Sequence, residues 1–141
     1  MGSTKVYKIY IVEDHPLMLR TLSEFMRRML GFEVCGAAHS AEEALEALSL
    51  ENIMPDLVLI DMSLPEMNGA DLVRHIREQW PTLPCVIFSG HSEAIYVNQA
   101  LAAGASGYIL KGKPKELRGA LEQVLSGHLY LSESLGLESS L

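Results

Sequence analysis

The sequence predicts an α/β domain: a doubly wound parallel sheet with helices on both faces. Three observations carry that prediction. Strand-like and helix-like segments alternate five times along the chain. The central apolar run, Leu57-Val58-Leu59-Ile60, does not alternate with polar residues, which suits a strand buried on both faces of a parallel sheet. Every strand except the second ends in a polar group, and in open α/β sheets ligand chemistry collects at the carboxyl ends of the strands.

Tyr7 to Val12 read as the first strand, which ends in Glu13-Asp14. Pro16 opens the first helix, because the N–H it lacks is not needed at a first helical position. Met18, Leu22, Phe25, Met26, Met29 and Leu30 then recur at helical spacing as far as Gly31. Phe32 to Ala38 form the second strand. Ser40 caps a helix over residues 41–50, and Glu43 three residues on completes a capping box. Pro55-Asp56 introduce the third strand, which ends at Asp61. Leu72, Val73, Ile76 and Trp80 give the third helix its apolar face over residues 70–80. Leu83 to Phe88 form the fourth strand and lead to Ser89-Gly90. Residues 93–103 form the fourth helix, closed by Gly104. Gly107 to Leu110 form the fifth strand, which ends at Lys111. The fifth helix starts near Pro114, with Leu117, Leu121, Val124, Leu125 and His128 along one side. The tail from Gly127 to Leu141 lacks a helical period and reads as a linker that packs at its start.

Repeated βα units imply a parallel sheet with right-handed crossovers. For five strands the flavodoxin-like order 2-1-3-4-5 is the standard doubly wound solution. It sets Glu13-Asp14 beside Asp61 and brings Ser89 and Lys111 to the same rim. It also puts Cys35 and Cys85 three inter-strand steps apart, roughly 14 Å, beyond the ~7 Å that a disulfide spans. Both are expected as free thiols.

At 141 residues the chain is one domain by the usual prior. Its composition, 48% hydrophobic and 21% charged, suits an ordinary globular domain with a sizeable core. A net charge of −7 argues against direct nucleic-acid binding, which usually needs a basic face. No apolar run reaches the ~18 residues of a membrane span, and no charged-then-apolar leader precedes the first strand. A cytoplasmic, membrane-free protein is expected.

Three carboxylates converging on one cleft either protonate or hold a cation. At ~4 Å two like charges repel by about 4 kcal/mol at an effective dielectric near 20. Oxygen ligands beside a phosphate suit Mg²⁺, with Mn²⁺ as a substitute. A carboxylate is also a nucleophile that forms an aspartyl-phosphate. Phosphoryl transfer asks mainly for positioning and charge neutralisation. Asp61 fits the attacking role, Asp14 the metal, Lys111 and Ser89 the phosphoryl oxygens. Taken singly, an Asp or Ser after a strand is usually a cap or turn residue, and a Lys there a solvated charge. Their occurrence together at successive strand ends is what points to a site.

These motifs resemble those of a response-regulator receiver domain of two-component signalling over residues 7 to about 128. They are Ile11-Val12-Glu13-Asp14-His15-Pro16, Ile60-Asp61-Met62-Ser63-Leu64-Pro65-Glu66-Met67-Asn68-Gly69, Phe88-Ser89-Gly90 and Gly104-Ala105-Ser106-Gly107-Tyr108-Ile109-Leu110-Lys111. The resemblance implies that Asp61 accepts a phosphoryl group from the phosphohistidine of a sensor histidine kinase. It implies Mg²⁺ ligation by Asp14, Asp61 and the backbone carbonyl of Ser63, with Glu13 acting mostly through water. Ser89 and Tyr108 take the two switch positions, Tyr108 swinging inward as Ser89 moves toward the phosphoryl oxygens.

The Glu-Asp-His-Pro start, the Gly-Ala-Ser-Gly-Tyr run and Gly127-His128-Leu129-Tyr130-Leu131-Ser132 are similar to NarL/LuxR-type regulators. That implies residues 1–6 as a tail, 7–127 as the receiver, and 128–141 as a linker toward a helix-turn-helix DNA-binding domain absent from this chain. A stand-alone receiver, or one that binds partners without phosphorylation, is the alternative. An output surface on helix four, strand five and helix five is expected. Homodimer formation through that surface, or through the first and fifth helices, is compatible with the sequence. An aspartyl-phosphate phosphatase would carry a second Asp where Ser63 stands, and an FMN-binding loop would not carry Glu13-Asp14. One departure stands out: Gly112 follows Lys111 where many receivers have proline. It leaves the loop less constrained and Lys111 less firmly held.

Overall fold

The strands and helices form in the expected order, with their ends shifted by a few residues. The computed structural model describes residues 5–50, 53–133 and 135. Strands β1 (Lys8–Val12), β2 (Glu33–Ala38), β3 (Leu57–Asp61), β4 (Cys85–Ser89) and β5 (Gly107–Leu110) alternate with helices α1 (Pro16–Arg28), α2 (Ala41–Ser49), α3 (Gly69–Gln79), α4 (Ala94–Ala103) and α5 (Leu117–Leu125). Ser40 Oγ accepts the Glu43 N–H at 3.1 Å, which satisfies one of the unpaired donors of the first turn of α2. The Glu43 carboxylate accepts from His39 N–H rather than Ser40 N–H, so half of the expected capping box slips by a residue. Asn68 caps α3 in the same way, its Oδ1 accepting from Asp71 N–H at 2.9 Å.

The sheet runs β2-β1-β3-β4-β5-β6 and every pairing is parallel. The expected order holds, with one strand added. β6 (Tyr130–Leu131) pairs with Gly107 and Tyr108 along the outer edge of β5. The segment read as a linker does pack at its start, and it does so as a strand. Two residues offer no alternation to read, so the strand left no sequence signal. His128 does not line α5 as expected. The helix ends at Leu125, Gly127 takes φ +95°, and His128 is exposed. That φ is easy only for glycine, and it turns the chain back along β5. The fifth helix also begins later than Pro114, after a 3-10 turn at Pro114–Glu116.

Alternate strand residues feed two cores, one on each face of the sheet. Tyr10, Val12, Val58, Ile60, Ile87 and Tyr108 pack with α2, α3 and α4. Ile9, Ile11, Leu57, Leu59, Val86 and Ile109 pack with α1 and α5. β3 and β4 are buried along their whole length, as a central parallel strand requires. Cys35 on β2 and Cys85 on β4 are free thiols. Burial pushes both above the ordinary thiol pKa, Cys85 to about 12. Among the described residues no helix is long and apolar enough to cross a membrane.

Candidate functional site

Parallel register aligns the strand ends. Val12 lies opposite Ile60, Asp61 opposite Phe88, and Ser89 opposite Leu110. The residues that follow therefore leave the sheet on one rim. Asp61 ends β3 with its side chain 6% exposed, and Lys111 Nζ lies 3.3 Å from its Oδ1. The same ammonium sits 3.1 Å from Glu13 Oε1, whose side chain is 2% exposed. Ser63 is exposed, and its N–H reaches back to Asp61 Oδ1 at 3.4 Å. Gly69 lets that loop close. A Cβ there would stand 2.5 Å from the Asp61 carbonyl oxygen and 2.8 Å from Met62 Cα, closer than any side chain permits.

Burial raises the pKa of Asp61 above the ordinary carboxylate value, and the charge of Glu13 adds to the rise; Lys111 only partly offsets both. Burial works against the Lys111 ammonium, but Asp61 and Glu13 outweigh it and raise its pKa. The pocket is thus a cation between buried acids, with anionic character left over. Asp14 shows where that surplus lies: its Oδ1 is buried without a hydrogen-bond partner, the His15 ring nitrogen 3.4 Å away forming no hydrogen bond to it. An orphaned carboxylate oxygen requires compensation. Glu13, Asp14, His15 and Asp61 each offer a ligand atom within 4.8 Å of the others. This cluster could hold a metal ion, and its oxygen-rich donor set fits Mg²⁺ or Mn²⁺.

The two residues expected as switches are physically joined. Ser89 is buried, and its Oγ accepts the His91 N–H at 3.0 Å. The Tyr108 hydroxyl donates to the His91 carbonyl at 2.8 Å. Tyr108 is fully buried, deeper than the half-buried position ordinary for a strand aromatic. Lys111 is tied down despite Gly112. Its N–H donates to the Ser89 carbonyl at 2.8 Å, its ammonium bridges two acids, and the Lys111–Gly112 peptide bond is trans.

The profile of the response regulator receiver domain family matches residues 9–122. The chain belongs to that family. It is a receiver domain of a two-component response regulator of the NarL/LuxR type. It is 37% identical over 128 residues to the transcriptional activator protein ExaE of Pseudomonas putida, covering 90% of this chain and 59% of that one. It is 32% identical over 136 residues to the nitrate/nitrite response regulator protein NarL of Escherichia coli K12, covering 96% and 62%. The receiver thus spans about three fifths of the length of the curated relatives it matches. Among solved structures, a LuxR-family two-component response regulator from Aurantimonas sp. SI85-9A1 superposes with a TM-score of 0.88 at 31% identity, covering 96% of each chain. The receiver domain of a NarL-type regulator from Mycobacterium tuberculosis gives 0.80 at 27%, covering 89% and 100%.

Sequence reasoning missed some of the groups that this receiver brings to the rim. His15 was read only as part of a motif, yet its Nδ1 lies 3.3 Å from Glu13 Oε2 and 3.4 Å from Asp14 Oδ1. Its place beside two acids was the available signal. His91 reads from the sequence as a position flanking the site, through its ring; what the sequence does not show is that its backbone joins Ser89 to Tyr108.

Proposed function

We propose that Asp61 is the phosphoacceptor of this receiver and that a sensor histidine kinase supplies the phosphoryl group. An Asp61 carboxylate oxygen attacks phosphorus. The bond from phosphorus to the donor imidazole nitrogen breaks, and that nitrogen keeps the electron pair. The imidazole departs, and Asp61 is left carrying the phosphoryl group as an acyl phosphate. The observation that carries this reading is the Lys111 ammonium 3.3 Å from Asp61 Oδ1 in a buried acidic pocket. It stands where an incoming phosphoryl oxygen needs a cation, and the neighbouring strand end offers the Ser89 hydroxyl. Asp14, Asp61 and the Ser63 carbonyl would hold Mg²⁺, with Glu13 through water. When bound, that ion supplies charge neutralisation for the phosphoryl oxygens.

Ser89 and Tyr108 then act as the switch. A pull on the Ser89 hydroxyl reaches Tyr108 through His91, which bonds to both. Moving a two-state domain from 1:99 to 99:1 takes about 5.5 kcal/mol of differential stabilisation, within reach of several new charge-assisted bonds. The similarity to transcriptional regulators of greater length supports control of transcription through a DNA-binding unit outside this chain, in the cytoplasm. Incubation with Mg²⁺ and acetyl phosphate, followed by intact mass measurement, tests the reading. One added phosphoryl mass is expected on the wild type and none on Asp61→Asn. An adduct that survives this substitution removes Asp61 from the role.

A further inference from the structure

The loop after β5 carries Lys111 and then Gly112, the least constrained residue available. Something else must hold it. Upstream, the Leu110 N–H donates to Ser132 Oγ at 3.0 Å. Downstream, Glu116 ends the 3-10 turn, and its carboxylate accepts from the Tyr130 hydroxyl at 3.0 Å and from the Ser132 hydroxyl. Ser132 Oγ thus accepts from one end of the loop and donates to the other. It is 4% exposed, so water cannot easily replace a lost partner. The Tyr130 phenol stays protonated at any physiological pH, since burial and Glu116 push it up to about 12.

We propose that Glu116, Tyr130 and Ser132 form a clasp that positions Lys111 for the phosphoryl group. The proposal rests on the phosphoacceptor reading above. A strand that merely covered the open edge of β5 would need backbone pairing alone. Here a buried hydroxyl and a carboxylate also bridge from residue 110 to residue 116, across the segment that carries Lys111 and Gly112. The clasp acts through Lys111, whose ammonium lies against Glu13 and Asp61, so loosening it weakens the contact to the phosphoryl group and removes no Mg²⁺ ligand.

The test is titration of the whole chain with beryllofluoride, a phosphoryl mimic, in saturating Mg²⁺ by ¹⁹F NMR, with Mg²⁺ affinity measured separately. Ser132→Ala, which removes both bonds of that hydroxyl, and Glu116→Gln should each weaken beryllofluoride binding by at least about five-fold, the scale of one hydrogen bond, with Mg²⁺ affinity not reduced. In a Lys111→Ala background neither should cost anything more, the mark of two residues acting through one path. Tyr130→Phe, which keeps the ring and the fold, should show a smaller loss of the same sign. Unchanged beryllofluoride affinity overturns the clasp, as does an equal fall in Mg²⁺ affinity or a full additional loss without Lys111. A wild type that binds neither beryllofluoride nor a phosphoryl group overturns the phosphoacceptor reading itself, and the clasp with it.

Discussion

At the scale of single residues, burial and the Glu13 carboxylate together raise the pKa of Asp61. A folded-state pKa above the unfolded one means that folding takes up a proton between the two values. The stability this group contributes is complete below the ordinary carboxylate pKa and is lost as pH rises through the folded value. As pH rises, this carboxyl therefore works increasingly against the fold. Asp61→Asn should raise the thermal midpoint at pH 7 in metal-free buffer, with the gain shrinking toward about pH 4. A lower midpoint at pH 7 would show that the Lys111 pairing outweighs burial and Glu13. The orphaned Asp14 oxygen leads to a second expectation. Mg²⁺ at about 100-fold over its Kd should add roughly 2.7 kcal/mol to unfolding. Chelation should reverse the gain, and Asp14→Asn should remove most of it. Asp14, Asp61 and Lys111 were legible because each lies at a strand end or within two residues past one. The full burial of Tyr108 was not, because Val97, Ala100 and Leu135, drawn from distant segments, complete the cluster around it.

At the scale of elements, the loop between β3 and α3 is set by closeness of backbone to backbone. Gly69 reads in the sequence as a residue that opens a helix. In the fold its missing Cβ makes room for the carbonyl of Asp61 at 2.5 Å. Backbone cannot swing aside as a side chain can. Gly69→Ala should cost about 1–3 kcal/mol, in the range of overpacking, and slow phosphorylation by acetyl phosphate because the acceptor loop moves. A variant that loses stability but keeps the wild-type rate would uncouple the two. Asn68→Ala beside it removes a cap to Asp71 N–H and should cost about 1 kcal/mol, with the phosphorylation rate kept. The Asn68 cap of α3 is found only in the fold, whereas the helix start at Pro16 and the cap at Ser40 follow local chemistry and are readable. The end of α5 is less so, since His128 continues the apolar spacing and only the turn at Gly127 removes it.

At the scale of the whole molecule, the sheet extends past the last helix. β6 lies along the outer edge of β5, so the expected output surface of α4, β5 and α5 carries a further strand. Leu135 is 2% exposed and shares a cluster with Tyr108. Leu135→Ala should lower stability by about 2–3 kcal/mol, seen as an earlier urea midpoint with an unchanged m-value. A neutral effect would detach this segment from the core.

The sequence by itself determined the βα alternation, the strand order and the acids and lysine at the rim. These follow from periodicity, caps and the rule that strand ends gather ligands, all of which act over a few residues. Tertiary structure alone decided what holds the site. The approach of Gly69 to Asp61, the His91 link between Ser89 and Tyr108, and the Leu110 N–H on Ser132 join residues through folded backbone. A backbone contact leaves no mark in composition or spacing, and a two-residue strand such as β6 is too short to show a period.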